Sequence, residues 1–189
     1  INMLTHKEAK TLTDPVFLLD ESEWRQIAEG EEHGKYVLAF FLDEPSVTAI
    51  SMMKKMIRHL GCKLIVFSYD YKCLNNINGF EFKSGDPKNF LWYIDNAKFV
   101  MTDSFHASAF SIIFRTPFYV FERNMPDPKS QSTRIVELMK CFNMNDRVVL
   151  LNRSICEKDF FMNNDMIKKE INCGQNKVER YLSEIIKRV

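Results

Sequence analysis

The sequence lacks the features that mark membrane-spanning, disulfide-linked and zinc-binding proteins. No apolar run approaches the roughly 20 residues needed to cross a bilayer, because Arg115 and Pro117 interrupt the longest candidate. The 5 cysteines are scattered and have no C-x-x-C spacing, so they predict neither a disulfide framework nor a zinc site. We therefore expect a protein of the reducing cytoplasm.

A strong excess of charge is also missing. The net charge is +1 at pH 7, whereas a dedicated nucleic-acid-binding protein normally carries a strongly basic face. We therefore expect no nucleic-acid partner, although a small anion needs only local positive charge. A chain of 189 residues that is 46% hydrophobic is typical of a folded domain with one sizeable core.

Several catalytic and cofactor-binding motifs are absent as well. The chain contains no H-E-x-x-H motif, aspartate cluster or glycine-rich phosphate loop, so it predicts no metal, no cofactor and no ordinary nucleoside triphosphate site. Ser104 lacks the G-x-S-x-G sequence of a hydrolase nucleophile, which argues against a serine hydrolase.

The chain does contain a regular alternation of apolar runs with helix-period segments from residue 36 onward. This alternation is typical of a parallel sheet covered on both faces, and it predicts an α/β fold with a Rossmann-like, mainly parallel sheet. The predicted strands cover 36–42, 63–68, 98–102, 117–122 and 147–151. The predicted helices cover 46–60, 87–96, 104–115 and 130–142.

The alternation also divides the chain. We expect residues 1–35 to form an entering segment with a short helix at 21–29 that buries Trp24, and residues 36–153 to form the Rossmann-like domain. Residues 154–189 are expected to be a helical segment packed on that domain. Its apolar stripe, which we interpret as core, comprises Val178, Tyr181, Leu182, Ile185 and Ile186.

One long connection is predicted within the domain, at 69–83, where neither helical nor strand periodicity is present. Such loops commonly line binding sites.

The most informative segment is the junction between the strand at 98–102 and the helix that follows it. The N–H groups at a helix opening and the helix dipole favour an anion beyond the carboxyl end of the strand. His106 opens that helix, and an unperturbed histidine has a pKa of about 6.5, which permits proton transfer or anion pairing. The alternative is that Asp103 or Ser104 only caps the helix and that His106 is an ordinary first-turn residue.

The sequence around this junction resembles the polysaccharide pyruvyl transferase family. The resemblance rests on a proline-led segment at 86–97, the motif Thr102-Asp103-Ser104-Phe105-His106, an apolar helix, and a Pro-Phe strand at 116–121. Weaker similarity extends it over nearly the whole chain. The family's motif has a glycine where Ala107 stands, and other members carry a phosphate-binding arginine where this chain has Ser104.

The resemblance implies a fold and a partner. The chain would be one lobe of a two-lobed enzyme related to the glycosyltransferase B-type fold, and residues 1–35 would follow an N-terminal lobe that is missing from this sequence. We expect that lobe to be a partner of the site.

The resemblance also implies a chemistry in cell-surface polysaccharide biosynthesis. A pyruvyl group would pass from phosphoenolpyruvate to two hydroxyls of a sugar or polysaccharide precursor, giving a ketal and releasing phosphate. His106 would be the proton donor or a phosphate contact, and the backbone at Ser104, Phe105 and Ala107 would complete the anion pocket. Arg123 or Arg134 would replace the missing arginine. The alternative for Arg123 is a solvated pair with Glu122, and the alternative for Arg134 is a surface pair with Glu137.

Other interpretations stay open at this stage. A sugar-nucleotide glycosyltransferase lobe would use the same sheet and the same anion site, and binding of a nucleoside diphosphate would identify it. A non-catalytic binding module would show no turnover. We further expect a homo-oligomer, an acceptor linked to lipid at the inner membrane surface, and structural or solvent-facing roles for His6, His33 and His59.

Overall fold

The computed structural model describes residues 10–67, 71–75, 77, 79–123 and 129–187, with the side chains of 129–132 left out. Within these ranges the chain forms a 6-stranded sheet in the order β3-β2-β1-β4-β5-β6, and every pairing in it is parallel. The strands are β1 (Tyr36–Phe40), β2 (Lys63–Phe67), β3 (Phe80–Lys83), β4 (Phe99–Thr102), β5 (Phe118–Phe121) and β6 (Val148–Val149).

Helices follow most of these strands, as a parallel sheet requires for its crossover connections. They are α1 (Glu21–Ile27), α2 (Val47–Leu60), α3 (Pro87–Asn96), α4 (Phe105–Phe114), α5 (Lys129–Cys141) and α6 (Asn164–Ile186). Short 3-10 helices lie at Pro15–Phe17, Lys72–Leu74, Asn145–Arg147 and Glu157–Phe160. None of the described helices has the length and apolarity needed to cross a bilayer.

The sheet is buried on both faces, which explains its continuous apolar strands. Successive side chains of β1 point to opposite faces, so Leu38 joins the core under α3, α4 and α5 while Val37 joins the core under α2. The predicted α/β class, with a parallel sheet and helices on both faces, is confirmed.

The strand order reverses between β1 and β4. The chain runs from β1 through α2 to β2 on one side, and from β4 through α4 to β5 on the other. The helices after β1 and β4 therefore lie on opposite faces, and a crevice opens between them at the carboxyl ends of the two strands. We call this the switch-point crevice. Its walls are the loop 41–46 after β1 and the opening of α4.

Most element boundaries agree with the predictions, and three expectations are wrong. The segment 69–83 is not a loop throughout, because it contains the 3-10 helix Lys72–Leu74 and the edge strand β3. Trp24 is half-buried rather than buried, since its indole Nε1 reaches the carbonyl of Val16 near the surface.

The third wrong expectation concerns α6. Of the predicted stripe, Leu182, Ile185 and Ile186 are exposed, and Val178 and Tyr181 are half-buried. The stripe is therefore not core. The buried residue of this helix is Ile167, near its start. The proposed division at 35 and 153 stays a prediction.

Candidate functional site

The junction between β4 and α4 is fixed by one threonine. Thr102 is fully buried, and its Oγ1 donates to the carbonyl of Phe40 in β1 (2.5 Å). The same Oγ1 accepts the N–H of Ser104 (3.0 Å). Ser104 then caps the helix, because its Oγ accepts the N–H of Ala107 (3.4 Å). The helix opening is thereby tied to β1 across the switch-point crevice.

Asp103 makes the second connection between the two walls. Its side chain is only 1% exposed, and its two carboxylate oxygens accept the N–H groups of Leu42 (2.7 Å) and Asp43 (3.1 Å). Burial raises the pKa of Asp103, and the two backbone hydrogen bonds and Arg123 oppose that increase. A buried carboxylate that receives hydrogen bonds from the loop after β1 holds that loop in place.

Arg123 follows β5 and lies against Asp103. Its Nε donates to the Asp103 carbonyl (3.2 Å) and is 3.6 Å from the nearer carboxylate oxygen, with the arginine side chain 15% exposed. The predicted alternative, a solvated pair with Glu122, is therefore not the arrangement present. Arg123 lies at the same edge of the sheet as the opening of α4.

His106 is the second residue of α4 and is exposed. Its ring stands perpendicular to that of Phe105, with the centroids 5.4 Å apart. The first N–H groups of a helix have no acceptor within the helix, so the opening of α4 combines such donors with an exposed imidazole.

The resemblance implies that the backbone of Ala107 helps to form an anion pocket, but the structure uses this residue differently. Its methyl group is fully buried in the core and does not narrow the crevice, and its N–H is taken by Ser104. The helix-opening donors that can face an anion are therefore those of Phe105 and His106.

Arg134 is 57% exposed and bound on two sides. Its Nη2 is 3.3 Å from a carboxylate oxygen of Asp14, and its guanidinium lies 4.3 Å from the centroid of the Phe105 ring. The expected pair with Glu137 is not formed, because Glu137 pairs with Lys140 (2.9 Å). Arg134 is close to the helix opening but holds the segment around Asp14.

The other histidines lie apart from the crevice. His33 is within hydrogen-bond distance of the Tyr93 hydroxyl (2.7 Å), and His59 stacks on Phe160 (5.7 Å between centroids). His6 is outside the described residues. In the part of the chain that the structure describes, no group of three or more acidic, histidine or cysteine side chains could hold a metal ion.

A family model described as polysaccharide pyruvyl transferase matches residues 2–124, which include the whole crevice from β1 to Arg123. The chain belongs to the polysaccharide pyruvyl transferase family. The family resemblance read from Thr102 to His106 is thus confirmed over most of the chain. The comparison of this chain with curated proteins found no match.

Two solved structures are similar to this family member. The glycotransferase of kitacinnamycin is 10% identical, with a TM-score of 0.43 over 85% of this chain and 45% of its own. The glycosyltransferase SnogD from Streptomyces nogalater is 8% identical, with a TM-score of 0.38 over 92% of this chain and 43% of its own. The chain therefore spans less than half the length of either.

Sequence reasoning missed Asp103 as the residue that joins the two walls in this pyruvyl transferase family member. Its partners lie 60 and 61 residues away along the chain, and no local pattern encodes that contact. The available signal was an acidic residue directly after a buried strand, which alone also fits a helix cap.

Proposed function

We propose that the protein transfers a pyruvyl group from phosphoenolpyruvate to two hydroxyls of a sugar or polysaccharide precursor. The observation that supports this most is His106, exposed in the first turn of α4 within the segment that the family model matches. An acid at a helix opening can act on a bound anion because the N–H donors and the dipole hold its charged groups.

The proposed reaction needs one proton donor and an anion pocket. His106, as imidazolium, gives its proton to the methylene carbon of phosphoenolpyruvate, and a sugar hydroxyl bonds to the neighbouring carbon and passes its own proton back to the imidazole. A second hydroxyl then bonds to that carbon as the carbon–oxygen bond to phosphate breaks, and the proton of this hydroxyl leaves with the phosphate. A positioned acid typically contributes about 10²–10⁴-fold, while the N–H groups of Phe105 and His106 hold the anion. No metal or cofactor is part of the proposal.

The acceptor side of the reaction is also a proposal. Residues that hold the sugar are proposed to lie on a further lobe facing the switch-point crevice. A lipid-linked acceptor would place the reaction at the cytoplasmic surface of the inner membrane. Assembly as a homo-oligomer is proposed as well.

His106→Ala tests the proposed function. We expect a protein that includes the proposed further lobe to release phosphate from phosphoenolpyruvate only when an acceptor is present, and to form an acid-labile ketal detectable by mass spectrometry. The 189 residues alone are expected to show little or no transfer, because the acceptor is not held. His106→Ala should lower that rate at least about 10²-fold without changing the circular dichroism spectrum. His59→Ala is the matched control, because His59 stacks on Phe160 away from the crevice.

Two outcomes would contradict the proposal. Unchanged turnover in His106→Ala would remove this residue from catalysis. Binding of a nucleoside diphosphate, together with sugar transfer from a nucleotide sugar and none from phosphoenolpyruvate, would assign the protein to the glycosyltransferase alternative.

A further inference from the structure

The site contains two arginines that are able to bind an anionic substrate, and the structure distinguishes them. The guanidinium of Arg134 already lies between the carboxylate of Asp14 and the ring of Phe105. An anion would have to compete with Asp14 for it. Arg134 is also largely exposed, where solvent screens its charge.

Arg123 is in a different position. Its guanidinium is anchored at one end, because Nε donates to the Asp103 carbonyl (3.2 Å). The Asp103 carboxylate already accepts hydrogen bonds from the N–H groups of Leu42 and Asp43. It lies 3.6 Å from Arg123 Nε, which is beyond ordinary hydrogen-bond distance. Its charge therefore orients the guanidinium without occupying the terminal nitrogens, Nη1 and Nη2, whose spacing suits a bidentate oxyanion.

We propose that Arg123, held by Asp103, is the guanidinium that binds the phosphate or carboxylate of the substrate, and that Arg134 is structural. In this arrangement Asp103 is a positioning residue. Directly before the opening of α4, it binds the loop after β1 through its carboxylate and the end of β5 through its backbone carbonyl. Arg123 thereby takes the place of the arginine that this chain lacks at Ser104. The inference rests on the proposed function for the identity of the substrate, but not for the binding of the anion.

A competing explanation is that Arg123 serves only as the counter-ion of Asp103. Both explanations predict a loss of stability when Arg123 is replaced by a neutral residue. They differ for Arg123→Lys, because lysine keeps the positive charge and loses the planar fork. A counter-ion alone would leave anion affinity intact in that variant.

The test compares Arg123→Lys with the matched variant Arg134→Lys, using inorganic phosphate and phosphoenolpyruvate as probes in isothermal titration calorimetry. We expect Arg123→Lys to weaken binding of both probes about tenfold or more, since a charge-assisted bidentate contact is lost. Arg134→Lys should change the affinity less than about twofold, which is within the scatter of a surface substitution. Equal affinities for Arg123→Lys and the unaltered protein would overturn the inference, as would a loss confined to Arg134→Lys.

Asp103→Asn tests the positioning role. If Asp103 acts through Arg123, Asp103→Asn weakens phosphate binding, and adding Arg123→Lys to it weakens binding little further. Independent, additive losses would show that Asp103 does not act through Arg123. If circular dichroism shows that Asp103→Asn does not fold, the comparison of Arg123→Lys with Arg134→Lys decides by itself whether Arg123 binds the anion.

Transfer assays on the protein that includes the proposed further lobe separate this inference from the proposed function. Arg123-dependent phosphate binding without any pyruvyl transfer by that protein would remove the function and leave the inference. Pyruvyl transfer with the same KM for phosphoenolpyruvate in Arg123→Lys as in the unaltered protein would remove the inference and leave the function.

Discussion

At the scale of single residues, the switch-point crevice depends on side chains that bind backbone groups. Thr102 and Asp103 both reach across from the end of β4 to the end of β1, while Ser104 turns back to cap α4. These contacts use buried polar atoms, each of which must be satisfied to avoid a desolvation penalty. His106 takes no part in these contacts and is exposed.

Ala107→Gly separates packing from ligand binding at the helix opening. The substitution should lower the free energy of unfolding by about 1–2 kcal/mol, because a buried methyl group is lost and glycine is the poorer helix former. Phosphate affinity should not change, since the methyl group lies in the core. Urea denaturation and calorimetry measure the two quantities.

Ala109→Gly is the matched control for Ala107→Gly, because Ala109 is equally buried on the same helix. We expect both variants to lose similar stability. Tighter phosphate binding in Ala107→Gly alone would mean that the methyl group faces the ligand.

The sequence predicts those features of the crevice that depend only on residues close together in the chain. The strand, the cap and the histidine of 102–106 follow from neighbouring residues, and the structure has them as expected. The contact of Asp103 with Leu42 and that of Arg134 with Asp14 join parts of the chain 61 and 120 residues apart. Residue patterns do not encode such pairings, because they depend on strand order and helix packing.

At the scale of elements, helix limits are the best predicted feature. Gly61 ends α2 with a positive φ of 59°, a conformation that favours glycine, and Asp86 with Pro87 starts α3 through a capping box. Strand β3 was missed for an equally local reason. Its sequence Phe-Glu-Phe-Lys alternates, has only 4 residues and forms the sheet edge, so it lacks the apolar run of the central strands.

The chain after β6 is held against the domain by buried charge rather than by an apolar stripe. Arg147 donates to the carbonyls of Asp159 and Phe161, and Arg153 pairs with the Asp159 carboxylate above the ring of Tyr119. Burial raises the pKa of Asp159, but the N–H of Cys156 together with Tyr119 and Arg153 more than offsets this and leaves the pKa below its ordinary value.

Asp159→Asn tests this anchor and its pH dependence. At pH 7 the substitution should lower the free energy of unfolding by about 1–3 kcal/mol, because charge-assisted hydrogen bonds to a buried carboxylate are lost. A lowered pKa in the folded state gives stability that is present above the unfolded-state pKa of about 3.9 and is lost as pH falls through the folded-state value. The difference between the two proteins should therefore shrink below about pH 4.

Urea denaturation at pH 7 and pH 3 measures that difference. Glu157→Gln serves as the control, since Glu157 is exposed and lies in the same short 3-10 helix as Asp159. A difference for Asp159→Asn that is the same at both pH values would show that its carboxylate charge is not what anchors the segment.

At the scale of the whole molecule, one sheet separates two cores, and strands β1, β2, β4 and β5 contribute buried side chains to both. The entering segment belongs to the same unit, because Trp24 of α1 packs edge-on against Phe110 of α4, with ring centroids 5.0 Å apart. Phe17 stacks on Phe142 at the end of α5 (5.4 Å). These contacts join the first described residues to the middle and the end of the domain.

We therefore predict that the chain unfolds in a single cooperative transition. Tryptophan fluorescence, which reports on Trp24 and Trp92, and far-UV circular dichroism, which reports on the sheet and helices, should give the same urea midpoint. A fluorescence transition at clearly lower urea would mean that α1 detaches before the sheet unfolds.

The core under α2 contains Met52, Met53 and Met56, whose unbranched side chains fill irregular gaps and tolerate substitution. The loop 41–46 leads directly into α2. This wall of the switch-point crevice therefore rests on a core that can change in sequence and still remain filled.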